Sequence, residues 1–220
     1  MPADDDIEAL EVRLLLDGIH AKYGYDLRGY TEASISRRIR AVLARSGLEH
    51  LGELQHRVLT DAAFFATVLN ELTVQVTELF RDPEFYRVLR TRVIPVLRTY
   101  PLLKIWHAGC ASGEEAYATA ILLQEEGLYE RAQIYATDLS PEALEQAKQA
   151  VYPDDRLELF ARNYAGSGGR LNLASHCTTA YGGIAIKDSL RRNVFFFQHD
   201  LVSDQPFGEM HVIFCRNVLI

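Results

Sequence analysis

Two carboxylates, Glu114 and Glu115, follow directly on the nearly bare stretch Gly109-Cys110-Ala111-Ser112-Gly113, and a third acid, Asp138, stands twenty-five residues beyond Gly113. Small residues let a ligand approach the backbone, and the N–H groups that open the next helix point toward it. An acid at the spacing of Asp138 can accept hydrogen bonds from both hydroxyls of a ribose. Together these residues describe a nucleoside-binding half-site. Its charge narrows the choice of nucleoside. Dinucleotide folds use G-x-G-x-x-G to bring a pyrophosphate to a helix start, whereas here the spacing is G-x-x-x-G with two acids at once behind it. Those acids suit the helix dipole and repel a pyrophosphate. They attract an ammonium or a sulfonium. S-adenosylmethionine carries both cations and a ribose, and it fits better than NAD.

The elements that must position these residues can be read outward from the turn. The apolar run Leu102, Leu103, Ile105, Trp106 predicts a buried parallel strand ahead of it, and Gln133–Thr137 predicts the next strand, ending in Asp138. Ser140 and Pro141 then open the helix PEALEQAKQA. Two more strands, NVFFFQ and HVIFC, end at His199-Asp200-Leu201 and at Arg216-Asn217. Asp138, Asp200 and Asn217 thus each fall just past the carboxyl end of a strand, where open α/β sheets bind their ligands. His107 and His199 read as polar walls of that edge, and Cys110 and Cys215 as small core or loop residues. Between the second and third strands, residues 152–192 are rich in glycine and polar residues, with β-like fragments such as Ile184-Ala185-Ile186. That is too long for a plain connection and reads as an inserted subdomain.

Upstream, no strand pattern appears. Ile7, Leu10, Leu14 and Ile19 form a helical stripe closing at Gly24; Thr31 to Gly47 is a second helix, with Ile35, Ile39, Val42 and Leu43 read as facing inward, and two short helices follow near 51–59 and 62–72. The second helix carries Arg37, Arg38, Arg40 and Arg45. Such a row is a solvated face or a docking surface for an acidic partner. Asp82-Pro83 announces a further helix, and Gln75, Thr77 and Arg81 alternate with apolar residues just before it. The organisation expected is a helical domain 1–73, a linker segment and helix 74–100, and an α/β domain 101–220.

Composition excludes several classes. The 220 residues carry a formal charge of −7, the opposite of a general nucleic-acid footprint. No apolar run approaches the length of a membrane span. The three cysteines lie far apart without C-x-x-C, so no zinc site or other metal site is suggested. The cytoplasm is the expected compartment. The chain stops at Ile220 inside an apolar run, and it reads as a fragment.

Taken in order, LTVQVTELFR, HAGCASGEEAY, ATDLSPEALEQA, FFFQHDL and FCRNVLI resemble the motifs of CheR-type chemotaxis receptor methyltransferases over nearly the whole chain. The resemblance implies a Rossmann-like class I methyltransferase sheet, an N-terminal all-helical domain and a small inserted β-subdomain. It implies methyl esterification of glutamates on the cytoplasmic helices of transmembrane chemoreceptors, with S-adenosylhomocysteine as product. Carried over, Gln75, Thr77, Arg81, Gly109, Glu114 or Glu115, Asp138, Asp200, Leu201, Arg216 and Asn217 would hold the cofactor. Arg81 would meet its carboxylate, and one of the two glutamates its amino group. Arg98 is a candidate linked to catalysis. The arginine-rich helix would become the receptor-docking helix, on a protein expected to act as a monomer. The family commonly has Asn where Gln75 stands and Asn-Leu where Asp200-Leu201 stands. The alternative is a module of the same fold that binds S-adenosylmethionine without transferring methyl.

Overall fold

The computed structural model describes residues 4–73, 77–180 and 182–218. The chain forms two compact units, dividing between Val74 and Gln75.

The first unit is helical: α1 (Asp4–Tyr23), α2 (Glu32–Ser46), α3 (Leu51–Thr60) and α4 (Ala62–Leu72). Gly47 ends α2 at φ 68°, a left-handed cap that glycine adopts without a Cβ clash. Asp61 caps α4, its Oδ1 accepting from Ala63 N and Phe64 N at 3.0 Å each. Thr31 stands at the N-cap position of α2 without a side-chain cap bond. Of the apolar stripe read on α1, Ile19 is buried. Ile7, Leu10 and Leu14 are 46, 51 and 48% exposed, while Val12, Leu15, Leu16 and Ile19 form the buried face. Both sets satisfy a helical period, and packing against α3 selects the second.

The second unit opens with α5 (Pro83–Val88), which passes through a π-helical turn, Leu89–Val93, into α6 (Ile94–Leu97). Pro95 has no N–H for the regular ladder, and the widened turn just before it absorbs the mismatch. Residues 77–100 belong to this unit. Its central sheet holds β1 (Leu103–Ala108), β2 (Ala132–Asp138), β6 (Val194–Gln198) and β7 (Val212–Phe214), all parallel, in the order β6-β2-β1-β7. Helices α7 (Glu114–Glu125) and α8 (Pro141–Gln149) return the chain between strands. Ile105, Ile134 and Ala136 are buried under these helices.

The insertion starts with β3 (Val151–Pro153) and ends with β4 (Cys177–Ala180), β5 (Gly183–Ile186) and α10 (Asp188–Arg191). Its strands form an antiparallel sheet in the order β3-β5-β4. It also contains α9 (Leu157–Gly166), which the glycine-rich reading did not anticipate. Phe160 and Tyr164 anchor α9 in the common core.

Candidate functional site

β1 ends at Ala108, and the chain turns at Gly109 (φ 76°), Ala111 (φ 46°) and Gly113 (φ 88°) before α7 begins. A Cβ on Gly109 would lie 2.4 Å from Val218 Cγ2, so the loop after β7 packs directly on this glycine. Asp138 ties the turn to β2. Its Oδ2 accepts from Ala111 N at 2.7 Å and its Oδ1 from Ser140 N at 3.0 Å. An ionised carboxylate has about four acceptor positions, so both oxygens keep capacity for hydroxyl donors. His199 N donates to the Asp138 carbonyl at 3.1 Å, which brings the end of β6 and the Asp200-Leu201 loop to the same edge. The Asp200 carboxylate accepts from Val202 N at 2.9 Å and from Ser203 Oγ at 2.8 Å, shaping that loop.

The two glutamates of α7 have different surroundings. Glu114 is buried, accepts from Ser112 Oγ at 2.7 Å and lies 3.9 Å from Arg156 Nη1. Burial, opposed by the Ser112 hydrogen bond, pushes its pKa up to about 7. Glu115 has an 18% exposed side chain. Burial acts to raise its pKa, but the His107 hydrogen bond and the charges of His107 and Arg216 outweigh burial and hold it below the ordinary carboxylate value. Its Oε1 lies 3.0 Å from His107 Nδ1, and its Oε2 accepts from Arg216 Nη1 at 2.7 Å. Arg216 Nη2 donates to Asp82 Oδ2 at 2.5 Å.

Thr77 and Arg81 precede α5. Arg156 of the insertion donates to the Thr77 carbonyl at 3.1 Å, and Asn163 Nδ2 donates to Glu78 Oε2 at 3.3 Å and to the Leu79 carbonyl at 3.2 Å. The insertion thus holds the segment that carries Arg81, with Arg156 reaching from Thr77 toward Glu114. Gln75 lies outside the described residues. Asn217 is exposed at φ 58°, next to Arg216.

Arg98 is not brought to this edge. It follows α6 and donates to Glu126 Oε2 at 2.7 Å, beyond the far end of α7 from Glu114. There it joins a polar cluster. Arg90 pairs with Glu125 and, at 3.1 Å, with Glu126; Arg170 Nη2 reaches Glu126 Oε1 at 2.7 Å. Tyr164 donates to Glu125, and His176 Nε2 lies 3.5 Å from it. Burial acts to raise the Glu125 pKa, but the hydrogen bonds from His176, Tyr164, Arg90 and Arg170 bring it down to about 2.

The arginines of α2 have separate duties. Arg38 Nη1 donates to the carbonyls of Leu72 (3.3 Å) and Thr73 (3.0 Å), closing the end of α4. Arg40 pairs with Glu8 at 2.7 Å and Arg45 with Glu71 at 2.7 Å. Arg37 is exposed and makes no ion pair among the described residues. Sequence reasoning missed Asp82 and Arg156 as parts of the site, and it read His107 as a polar wall without its contact to Glu115. An Asp immediately before a helix-opening Pro had been read only as a helix start.

An open parallel sheet with a glycine turn after β1 and an acid closing β2 defines a nucleoside-binding α/β domain of the Rossmann-like class. Comparison with known proteins makes the class specific. The family model described as CheR methyltransferase, SAM binding domain, matches residues 75–220, and the one described as CheR methyltransferase, all-alpha domain, matches residues 10–73. The chain belongs to the CheR methyltransferase family, and S-adenosylmethionine is the cofactor of its α/β domain. It is 46% identical over 211 residues to Cher3 of Pseudomonas putida, whose name marks it as a candidate methyltransferase; the match covers 96% of this chain and 77% of that protein. It is 32% identical over 197 residues to chemotaxis protein methyltransferase 1 of Pseudomonas aeruginosa, covering 84% of this chain and 70% of that one. The chemotaxis protein methyltransferase of Borreliella burgdorferi is 26% identical over 230 residues, with 96% of this chain and 77% of the relative covered. Among the described residues, no helix is long and apolar enough to cross a membrane.

Proposed function

We propose that this chain esterifies glutamate side chains on the cytoplasmic helices of chemoreceptors, with S-adenosylmethionine as methyl donor. The observation that carries the reading is the juxtaposition at one sheet edge of an ionised, part-exposed Glu115 and the Asp138 carboxylate, both built onto the same glycine turn. Glu115 suits the amino group better than Glu114. It is charged and partly open, whereas Glu114 is sealed in and close to half protonated near pH 7. Asp138 takes the ribose hydroxyls, Arg81 the cofactor carboxylate, and Thr77, Gly109, Asp200, Leu201 and Asn217 line the remainder.

The bound sulfonium supplies an activated methyl group. A receptor glutamate carboxylate is already the nucleophile at neutral pH, so the protein needs no general base. What its residues contribute is alignment of the two reactants and exclusion of water from the carboxylate. Arg37, exposed on α2 and without an ion pair among the described residues, is a cation of this helix open to an acidic partner, and Arg38, Arg40 and Arg45 already make contacts within the helical unit. The reading places the protein in the cytoplasm as a monomer.

The test is incubation of the protein with receptor cytoplasmic fragments and methyl-labelled cofactor. Base-labile label on receptor glutamates is the expected result. Cofactor binding without any label would make the chain a sensor of S-adenosylmethionine instead.

A further inference from the structure

Arg216 belongs to the motif that resemblance assigns to the cofactor, yet its guanidinium is already committed on three sides. Nη1 donates to Glu115 Oε2 at 2.7 Å, Nη2 donates to Asp82 Oδ2 at 2.5 Å, and the guanidinium carbon lies 4.1 Å from the centre of the Phe85 ring. On the other side of Glu115, Oε1 faces His107 Nδ1 at 3.0 Å. A carboxylate only accepts, so His107 carries its proton on Nδ1. Its Nε2 is buried without a partner among the described residues, and the ring is stacked on Phe214 at 4.4 Å and 2°. This His is therefore fixed in orientation, with its Nδ1–H toward Glu115.

Backbone geometry agrees. Asp82 (φ 57°) and Asn217 (φ 58°) are both non-glycine residues in the left-handed region, one bearing the acid that holds Arg216 and the other adjoining Arg216 itself. Such conformations cost about 1–3 kcal/mol each and persist where the surroundings over-determine them.

We propose that His107, Arg216 and Asp82 form a clamp that sets the orientation of Glu115, and that they are positioning residues rather than ligands. Through Arg216 the clamp joins the segment carrying Arg81, the start of α7 and the loop after β7. This inference rests on the assignment of Glu115 to the amino group. It gives a role to His107 and Asp82, neither of which the resemblance assigns to the cofactor, and it moves Arg216 from the residues expected to hold the cofactor to those that position Glu115.

The experiment compares two probes by calorimetry. S-adenosylhomocysteine carries the amino-acid tail; 5′-methylthioadenosine carries the same adenosyl group without it. Asp82→Asn keeps a side chain that tolerates a positive φ and changes an exposed position, so the fold is preserved. It is expected to weaken S-adenosylhomocysteine about threefold, the scale of a surface ion pair. His107→Leu is expected to weaken it about tenfold, the scale of a hydrogen bond to a charged group. His107→Asn, which returns a donor at the Nδ1 position, should recover most of that loss. Methylthioadenosine affinity should stay within about twofold throughout, the limit set by loss of the tail contacts alone. In a Glu115→Gln background, neither substitution should weaken binding further. Parallel losses for both probes, or none for either, overturn the clamp while leaving the cofactor site standing. Failure of the unsubstituted protein to bind S-adenosylhomocysteine overturns the reading of the site itself.

Discussion

Ala111 N donates to Asp138 Oδ2 across 2.7 Å, so the acid that closes β2 also holds the turn that follows β1. Ala111 sits at φ 46°, a conformation an alanine does not choose unaided, and Asp138 supplies the compensation. The residue expected to hold the ribose is therefore also the residue that shapes the cradle. Asp138→Ala should lose both functions together. It strips two N–H groups of a charged acceptor, and about 2–3 kcal/mol of stability should go with them. Asp138→Asn keeps one acceptor oxygen and should lose less stability than the Ala variant, while S-adenosylhomocysteine affinity drops at least about tenfold. Denaturant melts and calorimetry on the two variants separate the two roles.

Glu114 makes stability depend on pH in the direction opposite to a paired acid. Its folded-state pKa, about 7, lies above its ordinary value of 4.5. The folded state thus binds the extra proton between those values. The contribution is fully present below about pH 4.5 and is lost as the pH rises through about 7. Glu114→Gln, which cannot ionise, should match the parent protein near pH 5. Above pH 7 it should be the more stable of the two, by up to roughly 2–3 kcal/mol. Melts between pH 5 and 8 decide it, and a gap that does not grow with pH would sink the account.

How much of this was legible beforehand follows from which signals are local. The four parallel strands were readable because apolar runs bounded by turn residues are a local pattern, as was the Ser140-Pro141 start of α8. The placement of Asp138 followed from spacing alone. Helix α9 was hidden because its flanks, Pro153-Asp154-Asp155 and Ser167-Gly168-Gly169, dominate the composition of the insertion. The buried face of α1 was not legible because the helix has two apolar faces, Ile7, Leu10 and Leu14 on the exposed one, and only packing chooses between them. His107 was legible as a polar wall at the end of its strand, but its contact with Glu115 exists only once the two are opposite in space. The pairing of Arg216 with Asp82 spans 134 positions, beyond the reach of any periodicity.

Arg98 offers a direct check on one such long-range outcome. Its side chain is 54% exposed and rests on Glu126, which Arg90 and Arg170 also contact. Arg98→Ala should therefore cost at most about 1 kcal/mol of stability and leave S-adenosylhomocysteine affinity unchanged. A large fall in methyl transfer with intact cofactor binding would return Arg98 to the list of residues acting on the reaction.

Arg90 should behave in the opposite way. Its side chain is only 9% exposed and faces Glu125 and Glu126, at 3 and 4%. Arg90→Met would leave Glu125 with His176, Tyr164 and the Arg170 N–H, and Glu126 with the two part-exposed arginines. Breaking a buried pair from one side costs about 3–5 kcal/mol. The parent protein has a matching acid sensitivity. Glu125 titrates near 2 when folded against 4.5 ordinarily, so its contribution is present above about pH 4.5 and lost as the pH falls toward 2. Arg90→Met should lift the Glu125 pKa and flatten that dependence, because the variant has already lost much of what acid removes. Acid titrations of both proteins, followed by near-UV circular dichroism, test this. Equal acid midpoints would mean that His176 and Tyr164 hold Glu125 without help from Arg90.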